Sequence, residues 1–409
     1  HDYTLSNNTS FEISPKFKLG FGGGITFHKF VPAQIMNQNF DTTFTVNNLQ
    51  TLNTTENFIY CELLYKPTKR LNLRVGIRNS NYFTGNKTYS SFEPRLLAHF
   101  ISGENSAVKF SLSRMTQFLH LLTNPGLGLP VDLWVTSNES VSPGFSNQAS
   151  MGYSQNLEFK NISVAFSAEA YYKAMKNIVS YLDGYSSHNF TTPYFINKDK
   201  IWNSIVTQGE GSAHGFEIMA EKYSGELTGW VNYTYSSITH KFEKINGGNS
   251  FPSNFERKHS FSLVGNYKIN RKYTFSFSWD YSSGKPVTMP LFIYYPGNFN
   301  FGNSTTSYEN KRTVSLYAQG ERNAHRMEAF HRLNVAIQRR YNAKHFYGNI
   351  ELSIYNLYNR HNPYYYYVDN IYNSHLYYPG RDAPPVKTIL KSVSVFPVIP
   401  SVSISFKLK

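Results

Sequence analysis

The chain has 409 residues, of which 32 are Tyr and 32 are Phe, yet its mean hydropathy is only -0.43. No stretch approaches the roughly eighteen consecutive apolar residues that a membrane-spanning helix needs, so helical spanning is excluded. The net charge of +14 would by itself suggest nucleic acid or an anionic surface, but many basic residues fall in short links between predicted strands and no nucleic-acid-binding motif accompanies them. The single cysteine, Cys61, excludes a disulfide scaffold.

Apolar and polar residues alternate with a period of two along most of the chain. The stretch YTFSFSWDY at residues 273–281 has an aromatic residue at every odd position and Thr, Ser or Asp at every even position. Such alternation predicts strands with one apolar and one polar face. Helical patterning is nearly absent, and only residues 117–122 could form about one helical turn.

The links between predicted strands alternate between short and long. Short links at 66–69, 102–105, 158–161, 223–225, 270–272 and 341–345 alternate with polar loops at about 31–54, 119–144, 176–211, 241–256, 286–326 and 369–385. This rhythm predicts an all-β, antiparallel, up-and-down transmembrane β-barrel of about fourteen strands, with residues 1–409 as one domain. A soluble β-sandwich is the alternative for a single strand, but it would need turns at both ends and a dense aliphatic core.

Several stretches point to one family of proteins. They include SFEPRLLAHF at 91–100, SRMTQFLHLLTNPGLGLPVDLWVTSN at 113–138, GEGSAHGFEIMAEKYSGELTGWVNYTYSS at 209–237 and LSIYNLYNRHNPYYYY at 352–367. In these stretches, and in most of the chain from about residue 56 onward, the sequence resembles the barrel of TonB-dependent outer-membrane receptors of Bacteroides-like bacteria.

The resemblance implies a barrel of about twenty-two strands, plugged by a globular domain, that imports a scarce ligand with energy relayed through TonB. The chain would then supply the last fourteen strands, and we recognise neither a plug domain nor a TonB box in it. The resemblance also implies the bacterial outer membrane, with long loops extracellular and short turns periplasmic. Expected contacts are outer-membrane lipid and lipopolysaccharide, a plug domain and the TonB system.

The predicted function is capture of a ligand on the long loops followed by import. The alternative is a plugless barrel that acts as a scaffold and binds surface lipoproteins or other subunits of an outer-membrane complex. The HExxH, GxSxG and Walker-type patterns are absent from the sequence, which argues against an enzyme. We expect no cofactor and no bound metal.

Two groups of residues are candidates for function. Charged residues on the polar faces of strands could pair across a watery lumen or line a solute path; they are Arg74, Arg78, Glu169, Asp280, Arg332 and Glu351. Aromatic residues in long loops could contact a ligand or partner, or form an interfacial girdle; they are Tyr294, Tyr295, Phe299, Tyr377 and Tyr378.

Overall fold

The computed structural model describes residues 1–30, 52–85, 87–124, 126–127, 132–159, 162–185, 201–294, 316–342, 344–371 and 387–408. Strands dominate these residues. They are β1 (Asp2–Ser14), β2 (Phe17–Phe30), β3 (Leu52–Tyr65), β4 (Leu71–Thr84), β5 (Lys87–Gly103), β6 (Ser106–Gln117), β7 (Leu119–Leu122), β8 (Leu133–Thr136), β9 (Gly144–Phe159), β10 (Ile162–Tyr181), β11 (Val206–Lys222) and β12 (Leu227–Lys241).

The second half of the chain continues in the same way, with shorter strands inserted between the long ones. These elements are β13 (Phe251–Pro252), β14 (His259–Lys268), β15 (Tyr273–Ser282), β16 (Pro286–Val287), β17 (Pro290–Tyr294), β18 (Leu316–Gln319), β19 (His325–Arg326), β20 (Phe330–Asn342), β21 (Phe346–Tyr355), β22 (Tyr365–Ile371), β23 (Lys387–Val393) and β24 (Ile399–Leu408). Helical structure in the described residues is limited to α1 (Ile201–Ser204) and a 3-10 turn (Asn246–Gly248). No helix of this part of the chain is long and apolar enough to cross a membrane.

One antiparallel sheet holds 16 of the strands, and only the short β13 lies off its main path. The path runs β1-β2-β3-β4-β5-β6-β9-β10-β11-β12-β14-β15-β20-β21-β24, so that chain neighbours are also neighbours in the sheet apart from the inserted short strands. The predicted antiparallel meander is thereby confirmed. Within the described residues, β1 and β24 form the two edges of the sheet, and no pairing closes one edge onto the other.

Two short turns were not among the predicted short and long links. The chain reverses at residues 15–16, and again between Thr84 and Lys87 on the side of the long loops. Gly85 adopts a φ of 51°, the left-handed conformation that glycine tolerates and that tight hairpin turns require. Residues 84–88 read TGNKT, and a Gly-Asn pair between two strand-like runs is a hairpin signal, which the search for alternating short and long links overlooked. Residues 119–122 form β7 rather than a helical turn.

The register of the sheet gives each strand a polar and an apolar face. Cross-strand partners share a face, and Asp280 of β15 lies opposite Ser262 of β14 and Arg332 of β20. On the other face, Phe277 lies opposite Gly265 and Val335. The face that carries Asp280 is called the polar face below, and the opposite one the apolar face.

The apolar face is exposed along the whole sheet. Ile59 of β3 is 68% exposed and Ile404 of β24 is 63% exposed, and similar apolar side chains occur on most strands between them. A soluble protein rarely exposes so much contiguous apolar surface. A sheet face of this composition is typical of strands that contact lipid.

Buried apolar side chains concentrate at the long-loop end of the sheet. One cluster contains Leu122, Val135, Val141, Tyr181, Ile205 and Val206, and a second contains Phe242, Ile245 and Phe251. Four small two-stranded sheets lie in the same long connections: β7 with β8, β16 with β19, β17 with β18, and β22 with β23. The long connections therefore include a packed region, which we call the loop layer.

Candidate ligand-binding site

The six charged candidates all lie on the polar face. The cross-strand register from β4 to β21 carries this face from Arg74 and Arg78, through Glu169 and Asp280, to Arg332 and Glu351. They occupy β4, β10, β15, β20 and β21, so they are spread across the sheet and do not form a single site.

Two candidates on β4 form ion pairs with β3. The Arg78 guanidinium lies 3.7 Å from the Glu56 carboxylate and 3.8 Å from the centre of the Phe58 ring. Arg74 lies 3.9 Å from Glu62 in a more exposed pair. Both pairs join neighbouring strands, so they fit the structural interpretation of charges that pair across a wet surface.

Asp280 and Arg332 also pair, within a small hydrogen-bond network. Arg332 Nη2 donates to Asp280 Oδ2 at 3.1 Å, and Arg332 Nη1 donates to the Tyr355 hydroxyl at 2.6 Å. The Ser262 hydroxyl donates to the other carboxylate oxygen at 2.9 Å. This network connects β14, β15, β20 and β21.

Glu169 and Glu351 behave differently. Neither carboxylate has an ion-pair partner within 4.0 Å among the described residues. Glu169 lies opposite another carboxylate, Glu217 of β11, and Glu351 lies opposite the neutral Gln338 and Ser403. Of the six candidates, these two present free charge on the polar face.

The loop aromatic candidates remain predictions. Tyr294 ends β17 and pairs with Leu316 of β18. Tyr295, Phe299, Tyr377 and Tyr378 lie outside the described residues.

A cavity of about 550 Å³ lies where the polar face meets the loop layer. Polar-face residues at the loop end of the wall form one side of it, and loop-layer residues form the other. The wall contributes Met115, Gln117, Ser146, Lys173, Met175 and His240, and the loop layer contributes His120, Phe251, Asn254, Phe255, Arg322 and Asn323. A volume of this size is typical of sites for small organic ligands.

Arg322 is the most deeply buried cation of this cavity, with only 4% of its side chain exposed. Its guanidinium donates to Asp183 Oδ1 at 3.4 Å and to the Ser180 hydroxyl at 3.1 Å, and its backbone N–H donates to Asn246 Oδ1 at 3.1 Å. Burial lowers the pKa of Arg322 to about 10, so the side chain is still a cation at neutral pH.

Comparison with known proteins places this geometry in a family. The family described as "TonB dependent receptor-like, beta-barrel" matches residues 1–357. The chain belongs to this family. Its members are transporters of the bacterial outer membrane rather than enzymes, so this receptor barrel lies in that membrane, in agreement with its exposed apolar face. No curated protein matches the chain.

Solved receptors have the same fold at low sequence identity. A mutant of the ferric enterobactin receptor of Pseudomonas aeruginosa matches with a TM-score of 0.57 and 10% identity, over 100% of this chain and 54% of its own. The siderophore receptor PirA of Acinetobacter baumannii matches with a TM-score of 0.54 and 12% identity, over 88% and 50%. The ferric-catecholate import receptor Fiu of E. coli matches at 0.53 and 15%, over 88% and 51%. The chain thus spans about half the length of these receptors.

A second buried charge cluster fixes the loop layer of the receptor barrel to its wall. Glu256 is almost fully buried and pairs with Arg326. Its Oε1 accepts hydrogen bonds from the Ser237 hydroxyl and from the Ile238 backbone N–H of β12, both at 3.1 Å. Arg326 Nη1 also donates to the Gly284 carbonyl at 3.2 Å. One carboxylate therefore joins two long connections to a wall strand.

His120 contributes a neutral polar group to the cavity. Its Nε2 lies 3.0 Å from the Ser137 hydroxyl inside the loop layer. Burial lowers the pKa of His120 to about 4, so the imidazole is uncharged at neutral pH. Among the residues that the structure describes, no group of three or more His, Cys, Asp or Glu side chains could hold a metal ion.

A larger cavity, of about 950 Å³, lies at the short-turn end. Arg340 and Lys407 line it from the polar face, together with Arg271 and Lys272 of the turn before β15. It borders β24, an edge of the sheet, so one side of it has no neighbouring strand in the described chain. We regard the cavity beneath the loop layer as the better candidate site because two parts of the structure, the polar face and the loop layer, border it.

Sequence reasoning missed Arg322, His120 and Glu256. Each lies in a long connection and acquires its role from residues far away in the chain: Arg322 contacts Asp183, and Glu256 contacts Ser237 and Arg326. The only sequence signal was their position inside stretches that resemble the receptor family, such as 113–138 for His120.

Proposed function

We propose that this chain forms the barrel of a TonB-dependent transporter that captures a ligand beneath its long loops and imports it. The observation that supports the proposal is the cavity between the loop layer and the polar face. A ligand bound there would contact the loop layer on one side and the polar face of the wall on the other.

In this proposal the polar face lines the lumen. The two cavities described above lie against it, as expected if the sheet curves toward this face. The unpaired carboxylates Glu169 and Glu351 would then face the solute path or a plug domain. The long loops would be extracellular and the short turns periplasmic.

A plug domain and TonB are the partners that the family implies for import. The solved receptors that resemble this chain are about twice its length, and their names describe binding or import of siderophores and ferric catecholates. The ligand of this receptor need not be of that kind, since identities of 10–15% support the fold alone.

The proposal is tested in the native bacterium. Cells that lack the gene, cells complemented with it and cells that lack TonB are grown on a complex nutrient extract, and periplasmic solutes are compared by mass spectrometry. We expect at least one solute to disappear both without the gene and without TonB, and to return on complementation.

The scaffold alternative makes the opposite prediction. If the periplasmic solutes do not change, and gentle-detergent purification yields stoichiometric partner proteins, the barrel serves an outer-membrane complex and does not import a ligand. That result would overturn the proposal.

A further inference from the structure

The loop-end cavity has an unbalanced set of charges. The charged side chains that face it are basic: Lys173 of the polar face and Arg322 of the loop layer. No Asp or Glu is among its lining residues in the described chain. Such one-sided charge in a partly desolvated cavity favours a ligand of opposite sign.

Arg322 is a fixed cation in this cavity. Hydrogen bonds to Asp183 and Ser180 hold its guanidinium in one orientation. The Asp183 carboxylate is 48% exposed, and its second oxygen accepts the Asn246 N–H at 2.8 Å, so it neutralises the buried guanidinium only in part. A preorganised guanidinium loses little conformational entropy when it binds an anion.

Lys173 supplies a second, unpaired cation from the wall. It is half-buried, and no described residue forms an ion pair with it. Its cross-strand neighbours on the polar face are the neutral Gln148 and Ala213. On its own strand, Glu169 is four residues away, about 13 Å along the strand. The ammonium group is therefore available to a ligand.

The rest of the cavity is apolar or neutral. Met115, Met175 and Phe255 supply thioether and aromatic surface, which accommodates varied apolar groups. The imidazole of His120 is neutral. This combination suits a molecule with one anionic end and an apolar body.

We propose that the cavity beneath the loop layer binds a small organic anion, a carboxylate, phosphate or sulfate with an apolar body, through Arg322 and Lys173. This inference names the ligand class for the site of the proposed function and rests on that function. The volume of about 550 Å³ is in the range of sites for small molecules.

The test uses the full-length receptor purified in detergent. The three probes share a naphthalene ring and differ in their polar group: 2-naphthyl phosphate, 2-naphthoate and the neutral 2-naphthamide. Isothermal titration measures their affinities at low and high salt. We expect both anions to bind at least about tenfold more tightly than the amide at low salt, because one charge-assisted contact contributes that much. The affinities of the phosphate and of the carboxylate probe show which anion the site prefers.

Lys173→Gln removes the wall cation without a large change in volume. We expect it to weaken binding of the anions about five- to tenfold and to leave the amide unchanged. Lys109→Gln is the matched control, since Lys109 lies on the same polar face toward the short-turn end of β6. Equal affinities for anion and amide, or anion binding unaffected by Lys173→Gln, would overturn the inference.

The two proposals fail separately. Binding to the purified receptor needs no TonB, whereas import does. Anion-selective binding without TonB-dependent accumulation would contradict the transport proposal alone. Accumulation of a neutral solute, without anion selectivity in the titrations, would contradict the ligand class alone.

Discussion

Asp280 and Arg332 face each other across β15 and β20, with Oδ2 of the carboxylate 3.1 Å from Nη2 of the guanidinium. Both side chains are partly exposed, at 33% and 24%, on the polar face of the wall. The Ser262 hydroxyl donates to Asp280, and the Tyr355 hydroxyl accepts a hydrogen bond from Arg332. The pair therefore connects four strands where water is present, so neither charge is deeply desolvated.

This pair is expected to stabilise the wall modestly. Asp280→Asn and Arg332→Gln should each lower the free energy of unfolding by about 1 kcal/mol, and a double-mutant cycle should give a coupling of similar size. Unfolding of the receptor in lipid vesicles by guanidinium chloride measures these free energies. Glu351→Gln is the control, because that carboxylate has no described ion-pair partner, and it should change stability by less than about 0.5 kcal/mol. Additive single effects would contradict the pairing.

The loop layer should lose stability in acid. Because the pKa of folded His120 is lowered to about 4 by burial, the unfolded segment binds more protons as the pH falls below about 6.5. The free energy of unfolding of the loop layer is thus highest above pH 6.5 and declines toward pH 4, by a few kcal/mol at most. Hydrogen exchange of the β7 and β8 amides between pH 4 and 7 measures this. His120→Gln should make local stability less dependent on pH, and an unchanged dependence would contradict the assignment.

Glu256 should be the most sensitive carboxylate of the loop layer. Glu256→Gln leaves Arg326 without its counterion, and burial together with Arg326 already lowers the pKa of the nearby Arg257. Loss of one partner from a buried pair costs on the order of 3 kcal/mol. Limited proteolysis of intact cells should then cut the loops faster. Glu243→Gln, at an exposed position of the same connection, should have no effect; equal protection of both variants would refute this role.

Period-two patterning was sufficient to predict the wall, its two faces and the placement of Arg78, Asp280 and Arg332 on one of them. These properties depend on residues two apart and on neighbouring strands. The tight turn at Gly85 was missed because no long polar loop marks it, although the Gly-Asn pair at 85–86 is itself a hairpin signal. The packing of the loop layer was not predictable either, because Arg322 meets Asp183 across 139 residues of chain.

The candidate site illustrates the same limit. Sequence reasoning placed the charges on the polar faces of the strands, but it could not distinguish Asp280, which is paired, from Glu169, which has no described ion-pair partner. That difference depends on which residues of adjacent strands lie opposite one another. A shift of register by one residue would exchange the two faces.

Filling the cavity tests the import proposal most directly. Met175→Trp places a large ring in the cavity from the polar face, whereas Met151→Trp places the same ring on the exposed apolar face of neighbouring β9. TonB-dependent accumulation of the identified solute is measured in cells with equal amounts of folded barrel. Our account predicts that Met175→Trp lowers accumulation at least about tenfold, a loss of 1.4 kcal/mol or more in binding, while Met151→Trp imports normally. Normal import by Met175→Trp would contradict the account.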